Sequence, residues 1–279
     1  MQLKFRNLSC IRGFQEVYIW ESQMATTPIP SYERPPLTEV AFGVQFAELP
    51  LQTRHVGQFW TEIASEYPLT QDLPPVPDFS EQLKINVLAM PPLRRAFLAT
   101  HSTEFVIQLQ DSRFHHNWRK LSPDVEYPRF GTVFKRFLDS WGKFSDFVKR
   151  QALPEPKPNR YELTYVNEIE ALGQLAVEQA VKLFDWKNIE AKFLPEPQAT
   201  NIAWSFLLPD GKGVMNVSTN RLTKPDGRSA VLLTLACTGP SANDKYSLNE
   251  WFETAHQWIV RGFTDLTTEA AHQIWKREK

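Results

Sequence analysis

Residues 93–119 read LRRAFLATHSTEFVIQLQDSRFHHNWR, and they contain three short strand-like runs separated by turn residues. Connections of about two residues join antiparallel neighbours, so this stretch predicts an antiparallel meander. A further strand-like run precedes the stretch and ends at two prolines. In chain order the four runs are Leu83–Met90, Leu93–Thr100, Glu104–Gln110 and Arg113–Arg119.

The segments on either side of the meander predict one strand and two helices. Leu37–Phe46 is rich in Val and Phe and alternates in places, which is typical of a strand. Arg54–Tyr67 has apolar residues at helical spacing, and Pro68 stops it. After the meander the sequence predicts a long amphipathic helix. Its apolar face consists of Phe130, Val133, Phe134, Phe137, Leu138, Trp141, Phe144 and Val148.

The same order recurs after Leu153–Pro158, a connector with three prolines in six residues. Tyr161–Ile169 predicts a strand and Ala171–Phe184 a helix. Three more runs follow with hairpin signals between them, and they are Asn201–Leu208, Val214–Asn220 and Ala230–Cys237. A long helix closes the chain, with Ser247 as N-cap and Glu250 as capping-box partner, and continues towards Trp275.

These patterns predict an α+β protein made of two similar halves, residues 28–153 and 159–279. Each half has the order strand, helix, antiparallel meander, long helix. The apolar face of each meander must be covered, and the aromatic-striped helix of each half is the predicted cover. Helix-grip folds and tandem TATA-binding-protein-like folds share this plan. We expect residues 1–27 to be an N-terminal extension outside the fold, with Met24 as an alternative start.

Composition excludes several classes of protein. The 31 Lys+Arg nearly balance the 32 Asp+Glu, which argues against a nucleic-acid partner bound mainly by phosphate neutralisation. Cys10 and Cys237 make neither a disulfide framework nor a zinc set. No stretch approaches the ~20 apolar residues of a membrane span, and Met1–Trp20 is too charged for a signal peptide. We therefore predict a cytoplasmic protein with no cofactor and no metal.

The run RFHHNWRK, residues 113–120, has the densest functional chemistry in the chain. In a strand Arg113, His115, Asn117 and Arg119 share one face, where four donors could hold an anion. Phe114, His116 and Trp118 point the other way, and we include Trp118 among the candidate binding residues as an aromatic neighbour. The alternative, which we favour, is a solvated face whose charges pair with glutamates.

Other polar residues are weaker candidates. Glu162 and Glu168 share a strand face but lie too far apart, at about 3.3 Å per residue, to form a close carboxylate pair. Asn167 is interpreted as a structural polar group. His256 and His272 could each act as a general base, but no nucleophile motif accompanies them and packing roles are favoured.

Four motifs carry a resemblance to a known family: residues 34–46 (RPPLTEVAFGVQF), 113–120, 159–169 (NRYELTYVNEI) and 256–268 (HQWIVRGFTDLTT). Together they resemble a sporadically distributed family of uncharacterised bacterial proteins. The resemblance spans roughly Pro30 to Lys276. It implies an accessory gene without a settled activity, and it carries over no catalytic residues.

Three functional hypotheses follow. The first is a non-enzymatic interaction protein whose partner is another protein, encoded for example in a defence or toxin-neutralising locus; nine tryptophans favour it, since Trp and Arg anchor interfaces. The second is a small-molecule or nucleotide sensor that uses a helix–sheet cavity, with Arg113–Arg119 holding an anion. The third is a hydrolase-type enzyme built on His256, His272 or His115-His116.

Overall fold

The computed structural model of the protein describes residues 28–75, 94–171, 177–182, 201–224, 227–241 and 245–279. Several predicted features lie outside the described residues: the extension 1–27, the strand Leu83–Met90, the turn residues Pro225-Asp226, and residues 172–176 and 183–184 of the predicted helix Ala171–Phe184.

Nine strands are present within the described ranges, and most lie where the sequence predicts them. They are β1 Leu37–Phe46, β2 Leu69–Leu73, β3 Arg95–Ala99, β4 Phe105–Leu109, β5 Arg113–Arg119, β6 Pro158–Glu170, β7 Asn201–Leu207, β8 Val214–Thr223 and β9 Ser229–Pro240. They form one antiparallel sheet in the order β2-β3-β4-β5-β1-β6-β9-β8-β7. The predicted α+β class and antiparallel pairing are confirmed.

The helices are α1 Thr53–Ile63, α2 Phe130–Arg150, α3 Val177–Ala180, α4 Leu248–Leu266 and α5 Glu269–Ile274. Ser247 caps α4 as predicted, because its side chain accepts a hydrogen bond from the backbone N–H of Glu250 and completes a capping box. The prediction that this helix continues towards Trp275 is wrong. It stops at Leu266 because Thr267 has extended backbone angles, and Thr268 then caps the separate helix α5.

The hydrophobic core lies between one face of the sheet and the helices α2 and α4. Phe42 of β1 is fully buried, and its ring centroid lies 5.4–5.5 Å from those of Phe134, Phe137 and Phe252. Phe134 and Phe137 belong to α2 and Phe252 belongs to α4, so one strand residue joins both long helices.

The opposite face of the sheet, which we call the open face, carries polar and small residues in place of the large apolar ones of the core. On β1 it carries Glu39, Ala41, Gly43 and Gln45, whose neighbours Val40, Phe42 and Val44 belong to the core. Among the helices of the described residues, none combines the length and the apolar character that crossing a membrane requires.

Candidate functional site

The predicted binding residues of β5 divide between the two faces of the sheet. Four of them alternate onto the open face, and these are Arg113, His115, Asn117 and Arg119. Trp118 points into the core, where it is 1% exposed and its ring lies 5.1 Å from that of Tyr127. Trp118 cannot meet a ligand on the open face, so we correct the candidate set by removing it.

The carboxylate of Glu162 lies next to two of these donors, at the position that a bound anion would occupy. His115 Nε2 lies 2.7 Å from Glu162 Oε2, and Arg113 Nη1 lies 3.9 Å from Glu162 Oε1. The contact reaches from β5 to β6 across β1, because Gly43 pairs with both His115 and Glu162 and has no side chain to separate them. An external anion would have to displace this carboxylate.

Glu162 is held in its ionised form by its neighbours. Burial alone would raise the pKa of this carboxyl group, but the hydrogen bond and charge of His115 and the charge of Arg113 hold it below its ordinary value. Glu162 therefore remains a carboxylate at neutral pH and pairs with the basic side chains of β5.

The other two donors of β5 also have partners within the protein. Asn117 donates to the carboxylate of Glu39, and its own carbonyl oxygen accepts from Gln108 Nε2 at 3.2 Å. Arg119 Nη2 donates to the backbone oxygen of Thr103 at 2.9 Å. These donors are used by groups of the protein itself, and the open face of β5 is thus a weak place for an anionic ligand.

A cleft of about 260 Å³, on the other side of the sheet, is the stronger candidate site. We call it the helix–sheet cleft, since its walls come from the start of α2, the middle of α4, strand β6 and the segment before β1. The residues that line it are Pro30, Ser31, Tyr32, Pro35, Leu37, Tyr127, Arg129, Phe130, Gly131, Tyr165, Asn167, His256, Ile259, Val260 and Phe263.

Three of these side chains form a continuous hydrogen-bond chain. The hydroxyl of Tyr127 lies 3.1 Å from the hydroxyl of Tyr165, which lies 3.0 Å from Nδ1 of His256. The imidazole of His256 also stacks on Phe130, with ring centroids 4.0 Å apart and planes at 9°. The ring is therefore held in one orientation, by a hydrogen bond on one side and an aromatic face on another.

All three members of the chain are neutral at pH 7. Burial lowers the pKa of His256 to about 4, so the imidazole does not carry a proton on both nitrogens. Burial also raises the pKa of Tyr127 and that of Tyr165, so both keep their hydroxyl protons. Arg129 is the charged residue among those lining the cleft, and its Nη1 donates to the backbone oxygen of Tyr32 at 2.8 Å.

Two backbone irregularities border the cleft. Arg129, immediately before α2, has φ 72° and ψ 154°, a conformation that glycine adopts easily and other residues adopt at a cost of about 1–3 kcal/mol. The pairing of β1 with β6 shifts register between Leu37 and Glu39, which is a β-bulge. Strained residues and bulges are both more frequent next to functional sites than elsewhere.

The remaining candidates have structural contacts. His272 is 2% exposed, and its Nε2 lies 2.7 Å from Thr267 Oγ1. Asn167 lines the cleft, and its Nδ2 donates to the backbone oxygen of Leu233 at 3.2 Å. Glu168 pairs with Lys224 rather than with Glu162.

Sequence reasoning finds one member of the chain, His256, and misses the two tyrosines. Tyr127 and Tyr165 are 38 residues apart, and Tyr165 and His256 are 91 apart, so no short motif contains them. Within the described parts of the chain no group of three or more His, Cys, Asp or Glu side chains is placed to hold a metal ion.

Comparison with known proteins adds no assignment. No protein-family model matches the chain, and no curated protein is significantly similar to it.

Proposed function

We propose that this protein binds a small, uncharged, largely apolar molecule in the helix–sheet cleft. The observation that carries the proposal is the Tyr127–Tyr165–His256 chain, three neutral hydrogen-bonding groups on an otherwise mainly apolar wall. Apolar walls with a few convergent polar groups are typical of small-molecule sites. The volume is somewhat below the range of about 300–1,000 Å³ for drug-sized ligands, so the ligand is about the size of a bicyclic ring.

The same geometry favours binding over catalysis. General-base catalysis at neutral pH works best with a group whose pKa is near 7, whereas burial lowers the pKa of His256 to about 4. No Asp or Glu is among the described residues that line the cleft. We therefore propose a non-enzymatic role, as a small-molecule sensor or carrier.

Calorimetric titration of the full chain with quinoline, a neutral bicyclic probe, tests the proposal. We expect a Kd of about 1 mM or tighter, given the binding energy that small fragments achieve per atom. Val260→Trp should abolish binding because Val260 lines the cleft, whereas Leu121→Trp, at a site 49% exposed, should leave it unchanged. Equal binding by the Val260→Trp variant and the natural protein would show that the probe sits elsewhere.

For the fold, we propose that residues 28–153 and 159–279 are two copies of one unit, arranged as in tandem TATA-binding-protein-like or helix-grip folds. The order of the sheet supports this. β1 and β6 lie side by side at its centre, and each pairs on its outer side with the last strand of its own meander, β5 or β9.

A second candidate function is that of an interaction protein that binds a protein partner on the open face. The part of this face contributed by β8 and β9 favours it, because the side chains there are small and uncharged; they include Asn216, Ser218, Thr234, Ala236 and Thr238. Such a surface offers close approach and hydrogen bonds without requiring charge pairing. A partner encoded at the same bacterial accessory locus would fit the resemblance.

Purification from the native host tests this second candidate. If a partner binds the open face, it should co-elute with the natural protein but not with a Ser218→Arg variant. Asn249→Arg is the control, because Asn249 is an exposed residue of α4, and the partner should still co-elute with this variant. A chain that always elutes alone would argue strongly against it.

A further inference from the structure

We infer that the ligand of the helix–sheet cleft presents one hydrogen-bond donor and one acceptor, as a lactam or other cyclic amide does. This inference rests on the proposed binding function and extends it to a chemical class. It follows from the direction in which hydrogen bonds run along the Tyr127–Tyr165–His256 chain.

A neutral imidazole has one N–H and one bare nitrogen, so the chain can run in two directions. If Nδ1 of His256 donates to Tyr165, then Tyr165 donates to Tyr127, and the hydroxyl proton of Tyr127 is available as a donor. Nε2 of His256 is then a bare acceptor. If Tyr165 donates to Nδ1 instead, the proton of the imidazole is on Nε2, which becomes the donor. Tyr127 then donates to Tyr165 and offers the ligand only its oxygen lone pairs.

The two ends of the chain are therefore always of opposite kind. One end donates and the other accepts, and reversing the chain exchanges the two roles. Within the described residues, Nε2 of His256 has no hydrogen-bond partner of its own, and both His256 and Tyr127 line the cleft. Tyr165 joins the two end residues, through hydrogen bonds of 3.1 Å to Tyr127 and 3.0 Å to Nδ1 of His256.

A ligand with one donor and one acceptor satisfies both ends in either direction of the chain. A ligand with an acceptor alone satisfies one end and leaves the other without a partner after water has been displaced. Because an unsatisfied buried polar group is costly, we expect discrimination of about tenfold or more between the two kinds of ligand. Stacking on Phe130 and the hydrogen bond with Tyr165 keep His256 from turning to avoid this requirement.

The charge at the cleft comes from one residue in the described part of the chain, Arg129, and a hydrogen bond from its Nη1 to the backbone oxygen of Tyr32 holds the guanidinium. The Tyr127–Tyr165–His256 chain supplies neutral groups, which suit a neutral donor–acceptor pair.

The test compares three probes of nearly the same shape by calorimetric titration of the full chain at pH 7.5: 2-quinolone (donor and acceptor), quinoline (acceptor alone) and N-methyl-2-quinolone (acceptor alone). We expect 2-quinolone to bind about tenfold or more tightly than either of the others. Tyr165→Phe removes the middle of the chain, so the preference should fall to about threefold or less while the Kd of quinoline changes by less than about twofold.

The outcomes separate the two proposals. Equal affinity for all three probes would overturn the ligand class and leave the binding function standing. Absence of binding by all three would overturn both. If Tyr165→Phe does not fold, as judged by circular dichroism, Tyr127→Phe removes one end of the chain instead, and an undiminished preference in that variant would overturn the inference.

Discussion

At Gly43 the absence of a side chain lets β5 and β6 exchange a hydrogen bond across the strand between them. A Cβ atom built at this position would lie 2.4 Å from His115 Cδ2 and 3.2 Å from Glu162 Oε2. The His115–Glu162 contact and the tight packing at the centre of the open face both depend on this residue.

We predict that Gly43→Ala destabilises the protein by about 1–3 kcal/mol, because the new methyl group forces the imidazole of His115 away from Glu162. Urea denaturation gives the change in the free energy of unfolding. The double variant Gly43→Ala/His115→Ala should recover part of the loss, since the clashing ring is then absent. A fully tolerated Gly43→Ala would contradict this account.

Gly57 supplies the matched control for that substitution. It lies on an exposed position of α1, and a Cβ atom there meets nothing within 4 Å. Gly57→Ala should stabilise the protein by about 0.5–1 kcal/mol, because alanine has the higher helix propensity.

The pKa of His256 makes stability depend on pH. Burial lowers this pKa from 6.5 to about 4, so between these values the unfolded chain binds a proton that the folded protein does not. Stability should therefore fall as the pH falls from 6.5 to 4, by about 2–3 kcal/mol from this residue. Urea titrations at pH 7, 5.5 and 4.5 should show that His256→Gln loses less stability than the natural protein as the pH falls. Equal losses of stability in the two proteins would count against a buried neutral imidazole.

At the scale of elements, the start of α2 is under backbone strain at Arg129, whose φ is 72°. Arg129→Gly and Arg129→Ala both remove the guanidinium bond to Tyr32, so they differ in how well the new residue accepts this backbone conformation and, to a smaller extent, in the entropy of the unfolded chain. We predict that the glycine variant is more stable than the alanine variant by about 1 kcal/mol or more, measured by thermal and urea denaturation. Equal stabilities would show that the α2 start relaxes without cost.

Elements with a strong period were predictable, and elements without one were not. β1 and β5 have the predicted bounds, Leu37–Phe46 and Arg113–Arg119, because alternate residues of each enter the core. β2, Leu69–Leu73, was missed because it is an edge strand with exposed or half-buried residues throughout, which leaves no alternation to detect. The end of α4 was missed because Thr267 Oγ1 is bonded to Phe263 and His272, contacts that periodicity does not reveal.

At the scale of the whole molecule, Phe42 joins α2 and α4 into one core. We predict that Phe252→Ala destabilises the protein by about 3–5 kcal/mol, as large-to-small substitutions of buried aromatics do. In this variant the backbone amides of β3–β5 and those of β8–β9 should lose protection from hydrogen exchange to the same extent, because the sheet unfolds as one unit. Loss confined to β6, β8 and β9 would show two independent units.

Phe206 is the control for that substitution. It is 41% exposed on β7, so Phe206→Ala should cost less than about 1 kcal/mol and leave the exchange pattern unchanged.

The sequence by itself determined most of the elements, their alternating faces, the capping box of α4 and the α+β class, because each of these follows from contacts between residues close together in the chain. Only the tertiary structure decided that β1 lies between β5 and β6, that Glu162 meets His115 across Gly43, and that Tyr127, Tyr165 and His256 form one chain in a cleft. The side-chain contacts among these join residues 38 to 91 apart, and they form because distant apolar faces must bury one another, a requirement that no local pattern records.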